Sequence, residues 1–573
     1  MSKQLILYFI NSILLLPFPA STVFNWAAPG DSKMAMLRYK EALADTPKEV
    51  LNWRLFSSVA VFGILGASRG FDEGLVGGMI TLQSFKDEFP LEQGTADEVA
   101  NRESNITSMV QLGSIVGALL AFLIADRIGR VRSLQALTLL WIIGFVIVIT
   151  SFGSIGQIIA GRFIAGLGIG MTTVVGPTYL VEVAPKAIRG MLTNIFAGAV
   201  YLGVMIAYFA NWGCSINISG SSRTQWVLPQ SIHIMFAGVI FIASWMVPET
   251  PRYLIMKGQH EKALTTLCKL RKLSPDHPFI QREILDVRDQ LEREQESQRG
   301  SSLWGKFKEL TLIPSNFYRF MLCIGAQLLG QWSGASAITI YATEFFAALG
   351  KTGQSEKLFA TCILGIVKFV SAYLCAFFLI DFIGRRRSLY AGITLQILTS
   401  LYIAIYLAMV PQSTDESKAS EITGSAKRAG VGAIAAIYIS GLGWTMGWNS
   451  FQYLVGAEIF PIRLRALGSS IAMCFHFINQ FANTKAVPSM LLAMTNYGFF
   501  VFCTVVSAIG LAWVWFFVPE TAGRSLESMD TLFDLPWHQI GRHGKHLAAD
   551  NGNVFVEGDM EKTTVEMRED VRS

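Results

Sequence analysis

Two short cationic segments decide the fold: Ala125-Asp126-Arg127-Ile128-Gly129-Arg130-Val131-Arg132 and, later in the chain, Ile380-Asp381-Phe382-Ile383-Gly384-Arg385-Arg386-Arg387. Each lies between two long apolar runs, and their aspartates are 255 residues apart. Two further motifs also occur twice, in the same order: Glu182-x-x-Pro185-x-x-x-Arg189 with Glu458-x-x-Pro461-x-x-x-Arg465, and Pro248-Glu249-Thr250 with Pro519-Glu520-Thr521. The repetition predicts that the chain consists of two parallel copies of one membrane unit.

The composition places this chain among membrane proteins. Of its 573 residues 52% are hydrophobic and 16% charged, whereas about 25% charged residues are usual in soluble domains. Apolar runs of about 20 residues, long enough to cross a bilayer, recur along the chain. The seven cysteines form no CxxC pair, so we interpret them as small core residues. No nucleophile–base pair, nucleotide loop or metal-ligand cluster stands out, so we expect no enzyme, no cofactor, no metal site and no nucleic-acid partner.

The apolar runs predict an all-α polytopic protein with twelve transmembrane helices in two six-helix repeats. The predicted helices are 56–79, 106–125, 134–152, 156–180, 190–211, 232–247, 318–346, 359–380, 388–410, 432–457, 466–490 and 497–518. The predicted domains are an N-terminal segment (1–55), a first bundle (56–248), a cytoplasmic helical linker (249–317), a second bundle (318–518) and a tail (519–573). Within the first segment, 1–33 resembles a signal peptide in outline. We expect it to be an untranslated or extra apolar segment. Cleavage of a signal peptide would leave the new N-terminus outside and would reverse the side of the membrane on which the basic loops lie.

The loop charges predict the orientation. The cationic loops fall on one side, whereas the 80–104 loop on the other side is mostly acidic. By the positive-inside bias both termini are then cytoplasmic, and we expect a multi-pass plasma-membrane protein. Two sequons, which begin at Asn105 and Asn217, would then lie outside as glycosylation candidates.

From about residue 47 to 544 the chain resembles the sugar porters of the major facilitator superfamily. The motifs that carry the resemblance are Gly70-Phe71-Asp72-x-Gly74, Asp126-Arg127-x-Gly129-Arg130, Gly161-Arg162, Pro177-x-Tyr179-x-x-Glu182-x-Ala184-Pro185, Pro248-Glu249-x-Pro251-Arg252, Glu458-Ile459-Phe460-Pro461 and Pro519-Glu520-Thr521. Segments such as Leu82-Gln83-Ser84-Phe85-Lys86 and Leu535-Pro536-Trp537 resemble the fungal quinate- and galacturonate-type branch. The resemblance implies a monomeric transporter that imports a small polyhydroxylated substrate by alternating access.

The resemblance also implies proton coupling through Asp72 and Arg162. Each lies about eight residues from the outer end of its predicted helix, which is about 12 Å at 1.5 Å per residue, so the two side chains can meet. In the family the aspartate takes up a proton and releases the arginine; a permanent ion pair is the alternative. Arg69, three residues before Asp72, could keep Asp72 ionised, face an anionic substrate, or extend to polar surroundings.

The repeated loop motifs imply a cytoplasmic gate. Its predicted members are Asp126, Arg130, Glu182, Arg189, Asp381, Arg385, Glu458 and Arg465. We expect ion pairs among them in the outward-open state.

The predicted substrate site departs from the hexose pattern of the family. In the seventh helix Gln331 is retained, but Gly330 and Ser336 stand where hexose porters carry amides, and each lost hydrogen bond costs about 1 kcal/mol. The predicted substrate-binding residues are Gln331, Ser336, Tyr341, Lys368, Trp444, Asn449 and His476. Lys368 and His476 favour an acid such as galacturonate or quinate. A neutral hexose, pentose or rhamnose, a uniporter without proton coupling, and a nutrient sensor without flux remain as alternatives.

Overall fold

The computed structural model describes residues 46–91, 93–185, 188–298, 302–351, 353–375, 384–410, 424–449, 451–452, 459–520 and 532–543. The predicted apolar segment 1–33 lies outside these residues. Within the described ranges the secondary structure is helical and contains no strand.

Besides the short helix Gln83–Glu88, the described part of the first half contains seven longer helices, of which the first two form one broken crossing. They are α1 (Trp53–Gly63), α2 (Gly66–Ile80), α3 (Ala96–Ile128), α4 (Arg130–Ile149), α5 (Ile155–Val183), α6 (Arg189–Asn217) and α7 (Thr224–Ala243). The third begins at Ala96 rather than at 106 as predicted. Thr95 and Glu98 form a capping box there, which satisfies the first free amides of the helix.

Four shorter helices connect the halves: α8 (Pro251–Met256), α9 (His260–Arg271), α10 (Pro278–Gln298) and α11 (Leu303–Leu312). The second half contains α12 (Pro314–Trp332), α13 (Ala335–Ile340), α14 (Ala342–Ala348), α15 (Gln354–Leu374), α16 (Arg385–Met409), α17 (Gly424–Trp444) and α18 (Ile462–Phe517). A π-helical turn at Thr445–Asn449 follows α17, and α19 (Trp537–His543) follows α18 along the chain.

The helices supply the twelve predicted crossings. Among the described residues, nine helices are long and apolar enough to cross a membrane. The last of these contains two crossings, because Thr495 interrupts it with non-helical backbone angles (φ 62°, ψ 169°). The broken crossings α1–α2 and α12–α14 complete the set. The chain is therefore an all-α, multi-pass membrane protein with the twelve-helix fold.

Glycines let the helices of the first half approach closely. A Cβ at Gly70 would lie 1.7 Å from the carbonyl oxygen of Val200, so α2 and α6 are in backbone contact there. A Cβ at Gly166 would lie 2.3 Å from the carbonyl oxygen of Val110 in α3. These close contacts hold α2 against α6 and α5 against α3.

The two halves meet along two helix pairs, α3 with α18 and α6 with α15. Near the start of α3, the hydroxyl of Tyr341 lies 2.9 Å from that of Thr107 and donates to the carbonyl oxygen of Thr484 at 2.8 Å. The ammonium of Lys485 donates to Asn101 Oδ1 at 2.5 Å. Because these bonds join the two halves, the molecule is closed at this end.

Candidate functional site

A buried ion pair joins α2 to α5. Arg162 Nη2 donates to Asp72 Oδ2 at 3.2 Å, and Arg162 Nη1 lies 3.1 Å from Asp72 Oδ1. The two side chains are 0% and 2% exposed, respectively. Arg162 Nε also donates to the carbonyl oxygen of Ile106 at 2.6 Å, which fixes the guanidinium against α3. The two residues predicted for proton coupling therefore contact each other in the interior.

A central cavity lies between the two halves. From the first half it is lined by Arg69, Glu73, Val200 and Tyr201, and from the second half by Gln331, Ala335, Ser336, Thr339, Trp444, Asn449, Gln452, His476 and Gln480. Within the described part of the chain, Gln331 Oε1 and both amide atoms of Gln452 are buried without a hydrogen-bond partner. Such atoms are costly to bury, so they are suited to bind the hydroxyl groups of a ligand.

A charged pair faces this cavity from α2. Arg69 Nε lies 2.7 Å from Glu73 Oε1, and the side chains are 9% and 12% exposed. Gln480 of α18 bridges them, because its oxygen accepts from Arg69 Nη2 at 3.2 Å and its nitrogen donates to Glu73 Oε1 at 2.8 Å. The guanidinium of Arg69 also lies 5.4 Å from the ring centre of Phe477. This cluster therefore connects the halves at the cavity wall.

Most of the predicted substrate-binding residues line the cavity. Gln331 Nε2 lies 3.2 Å from His476 Nδ1, and Gln327 Oε1 lies 2.8 Å from the same nitrogen. Trp444 Nε1 donates to the hydroxyl of Tyr201 at 2.5 Å, so its ring is held against the first half.

Two other predicted substrate residues lie beside the cavity instead of in its lining. Lys368 is buried, and its ammonium donates to the hydroxyl of Thr339. Tyr341 is buried at the closed end described above, where its hydroxyl already has two partners.

The cavity residues that were missed from the sequence include Glu73, Gln480, Gln452 and Tyr201. Two of them carried a recognisable signal. Glu73 follows Asp72 directly and lies four residues after Arg69, on the same face of its helix. Gln480 lies four residues after His476 and shares its helical face. Gln452 and Tyr201 have no comparable pattern around them.

The predicted gate residues of the first half form an ion cluster. Arg130 Nη2 lies 2.8 Å from Asp126 Oδ1 and 2.7 Å from Glu182 Oε1. The second oxygen of Glu182 accepts from the hydroxyl of Thr250 at 2.6 Å. Asp381 and Glu458, and the side chains of Arg189 and Arg465, lie outside the described residues. Arg385 begins α16.

Glu249 supports this cluster from the loop after α7. Its carboxylate accepts the backbone N–H groups of Arg130, Val131 and Thr250 at 3.0–3.2 Å. Burial raises the pKa of the Glu249 carboxyl above its ordinary value, and this effect outweighs the three N–H donors, which lower it. The carboxylate therefore holds the start of α4 although it is largely out of water.

The two sequon asparagines have different surroundings. Asn105 is half-buried within α3, and its side-chain oxygen accepts from Lys485. Asn217 is exposed at the last residue of α6. In the described ranges no group of three histidine, cysteine or acidic side chains is arranged to hold a metal ion.

Comparisons with known proteins agree with this architecture. The sequence profile of the family described as "Sugar (and other) transporter" matches residues 58–533. A quinate permease of Neurospora terricola is 31% identical over 513 residues, which cover 89% of this chain and 94% of that protein. A quinate permease of Neurospora africana is 32% identical over 503 residues, which cover 87% and 92%.

Solved structures show the same fold. The partially occluded, inward-open xylose transporter XylE of E. coli superimposes with a TM-score of 0.68 at 18% identity, covering 83% of this chain and all of that chain. XylE, described as a proton:xylose symporter, bound to 6-bromo-6-deoxy-D-glucose gives a TM-score of 0.67 at 20% identity, covering 84% and 99%. This chain belongs to the sugar transporter family, the sugar porters of the major facilitator superfamily.

Proposed function

We propose that this chain is a proton symporter of the plasma membrane, with both termini in the cytoplasm. It imports a monosaccharide or a sugar-derived acid of the galacturonate or quinate type by alternating access. The observation that carries the proposal is the fully buried Asp72–Arg162 pair, whose aspartate lies on the same helix as the cavity residues Arg69 and Glu73.

The physical argument concerns charge. A carboxylate and a guanidinium buried in a membrane protein each need a partner. When Asp72 takes a proton its charge disappears, so Arg162 loses the attraction that joins α5 to α2. Proton binding is thereby linked to how these helices pack. The description of XylE as a proton:xylose symporter supports this reading.

The cavity supports a polyhydroxylated substrate. Amide groups of Gln331, Gln452 and Asn449 face it, and the ring of Trp444 supplies a flat apolar wall. Hydroxyl groups of a sugar or a cyclic polyol acid would satisfy the unpartnered amide atoms. The names of the Neurospora relatives support an acid as a candidate substrate.

The test is uptake by a transport-deficient yeast that expresses the chain. Labelled galacturonate, quinate, rhamnose and glucose are offered at acidic and at neutral external pH, with and without a protonophore. We expect accumulation of one compound against its gradient at acidic pH, and loss of accumulation with the protonophore. Equilibration without accumulation would indicate a uniporter. Binding without uptake would indicate a nutrient sensor.

A further inference from the structure

The cavity contains an ion pair that adds little to the stability of its own helix. Arg69 and Glu73 lie on one helix, four residues apart, and such a pair stabilises even an exposed helix only slightly. Inside a membrane protein the two charges must also be removed from water, which costs more than this. Placement of both side chains in the cavity lining indicates that the pair serves a ligand.

Arg69 is the cation that this cavity offers to an anion. Among the described lining residues it is the one arginine or lysine. Lys368 and His476, which the sequence favoured for this role, are engaged by Thr339 and by Gln327 and Gln331. A guanidinium is also well matched to a carboxylate, because it can donate two parallel hydrogen bonds to it.

We propose that Arg69 binds the carboxylate of an acidic polyhydroxylated substrate, and that Glu73 occupies this position until the substrate displaces it and then takes up a proton. The proposal rests on the proposed transport function and names its substrate class. Gln480 contacts both members of the pair. Gln480 therefore keeps a hydrogen-bond partner both before and after the substrate displaces Glu73.

Within the Arg69–Glu73 pair, an incoming carboxylate is balanced by uptake of a proton. The Arg69–Glu73 pair is neutral as a whole, and an incoming carboxylate would add one negative charge. Two carboxylates that share one guanidinium in a buried site cannot both stay ionised. A proton from solvent bound to a Glu73 oxygen restores neutrality, so one proton enters with each anion. This proton is additional to the one assigned to Asp72.

Other ionisable groups lie near Arg69 and Glu73. They are Asp72 on the same helix, Arg162 of α5, Tyr201 and Tyr208 of α6, Lys368 of α15 and His476 of α18. Asp72 and Arg162 neutralise each other. Lys368 lies close enough to Glu73 for an electrostatic interaction, and His476 lies similarly close to Arg69. Lys368 thus adds positive charge near Glu73, whereas a bound anion adds negative charge.

The test is equilibrium binding to the purified chain in lipid nanodiscs, without any ion gradient. The ligands are D-galacturonate and quinate, with D-galactose and the methyl ester of galacturonic acid as neutral counterparts. An indicator dye in weakly buffered solution reports proton uptake. We expect one proton to be taken up per bound acid and none per bound ester. Arg69→Gln should weaken acid binding about 10- to 100-fold, as for loss of a hydrogen-bonded charge, and leave ester binding nearly unchanged.

Further variants separate binding from folding. Glu73→Gln should bind acid without proton uptake, and Arg69→Lys should restore part of the lost affinity. Because Arg69→Gln leaves Glu73 without its cation, the double variant Arg69→Gln/Glu73→Gln provides a charge-balanced form that should lose the preference for acid. Arg293→Gln, which removes an exposed arginine of α10, is the matched control and should behave as the wild type.

The outcomes distinguish this proposal from the proposed function. An unchanged ratio of acid to ester affinity in Arg69→Gln overturns it, as does failure of both acids to bind the wild type. Proton-driven uptake of a neutral sugar alone would keep the transport function and overturn the carboxylate site. Acid binding with proton uptake, but without accumulation in cells, would support the site and contradict the transport function.

Discussion

Glu249 and Glu520 make the same contact in the two halves of the chain. Glu249 accepts the first two backbone N–H groups of the helix that begins at Arg130, at 3.1 and 3.2 Å. Glu520 accepts the first two of the helix that begins at Arg385, also at 3.1 and 3.2 Å. Each carboxylate follows the last crossing of its half and satisfies amides that a helix start leaves unbonded. The repeat seen in the sequence is therefore also a repeat of contacts.

The pH dependence of stability should report on Glu249. Burial raises the pKa of this carboxyl above its ordinary value of 4.5, so the folded chain binds the proton more tightly than the unfolded chain. The stabilising contribution is therefore complete below 4.5 and decreases as the pH rises through the raised value. As the pH rises from 4.5 through the raised pKa, we expect the melting temperature of Glu249→Gln to increase relative to that of the wild type. A difference in melting temperature between the variant and the wild type that does not vary with pH would contradict this prediction.

Substitution of Asp72 should uncouple transport from the proton gradient. Asp72→Asn keeps the shape of the side chain but removes the group that we propose to bind the proton. Substrate should then equilibrate across the membrane without accumulating, and a protonophore should have no effect. Accumulation ratios in cells or proteoliposomes measure this. Asp97→Asn, at an exposed position of α3, is the control and should accumulate normally.

The backbone contact at Gly70 should not tolerate a side chain. A Cβ there would lie 1.7 Å from the carbonyl oxygen of Val200, and neither backbone can move without displacing its helix. We expect Gly70→Ala to destabilise the protein by about 1–3 kcal/mol, as other overpacking does, or to prevent folding. Gly213→Ala, on α6 with no atom within 4 Å of the added Cβ, should melt as the wild type. Equal melting temperatures for both variants would show that α2 and α6 do not touch at Gly70.

Removal of the Tyr341 hydroxyl should favour opening of the end of the molecule at which Tyr341 joins the two halves. It forms bonds to Thr107 and Thr484 that join the halves, and one such bond contributes about 1 kcal/mol, or about a fivefold change in population. Cysteines introduced as Asn101→Cys and Lys485→Cys should crosslink when that end is closed. We expect Tyr341→Phe to lower the rate of crosslinking, and an unchanged rate would exclude a role of Tyr341 in closure.

Glycosylation should occur at Asn217 and not at Asn105. Asn217 is exposed at the end of α6, whereas Asn105 is half-buried in a helix and bonded to Lys485. On gels, deglycosylation should shift the wild type and Asn105→Gln but not Asn217→Gln. A modified Asn105 would mean that this part of α3 is accessible while the chain is being folded, and no shift at all would contradict the proposed orientation.

The sequence by itself determined the membrane class, the repeat and most of the crossings, because these follow from local apolar length and segregated charge. It also determined that Asp72 and Arg162 lie at similar depth, since depth follows from position along a helix. The start of α3 was misplaced because the apolar run ends before the helix does, and the capping box at Thr95 fixes its true beginning.

Only the tertiary structure decided which polar groups share the cavity. Arg69 and Gln480 are 411 residues apart, and their contact depends on how α2 and α18 approach across the two halves. Lys368 was predicted to bind substrate, yet its ammonium bonds Thr339 and the side chain does not line the cavity. The position of a residue along its helix can be counted from the sequence. The direction in which its side chain points in the assembled bundle depends on the packing of all its neighbours.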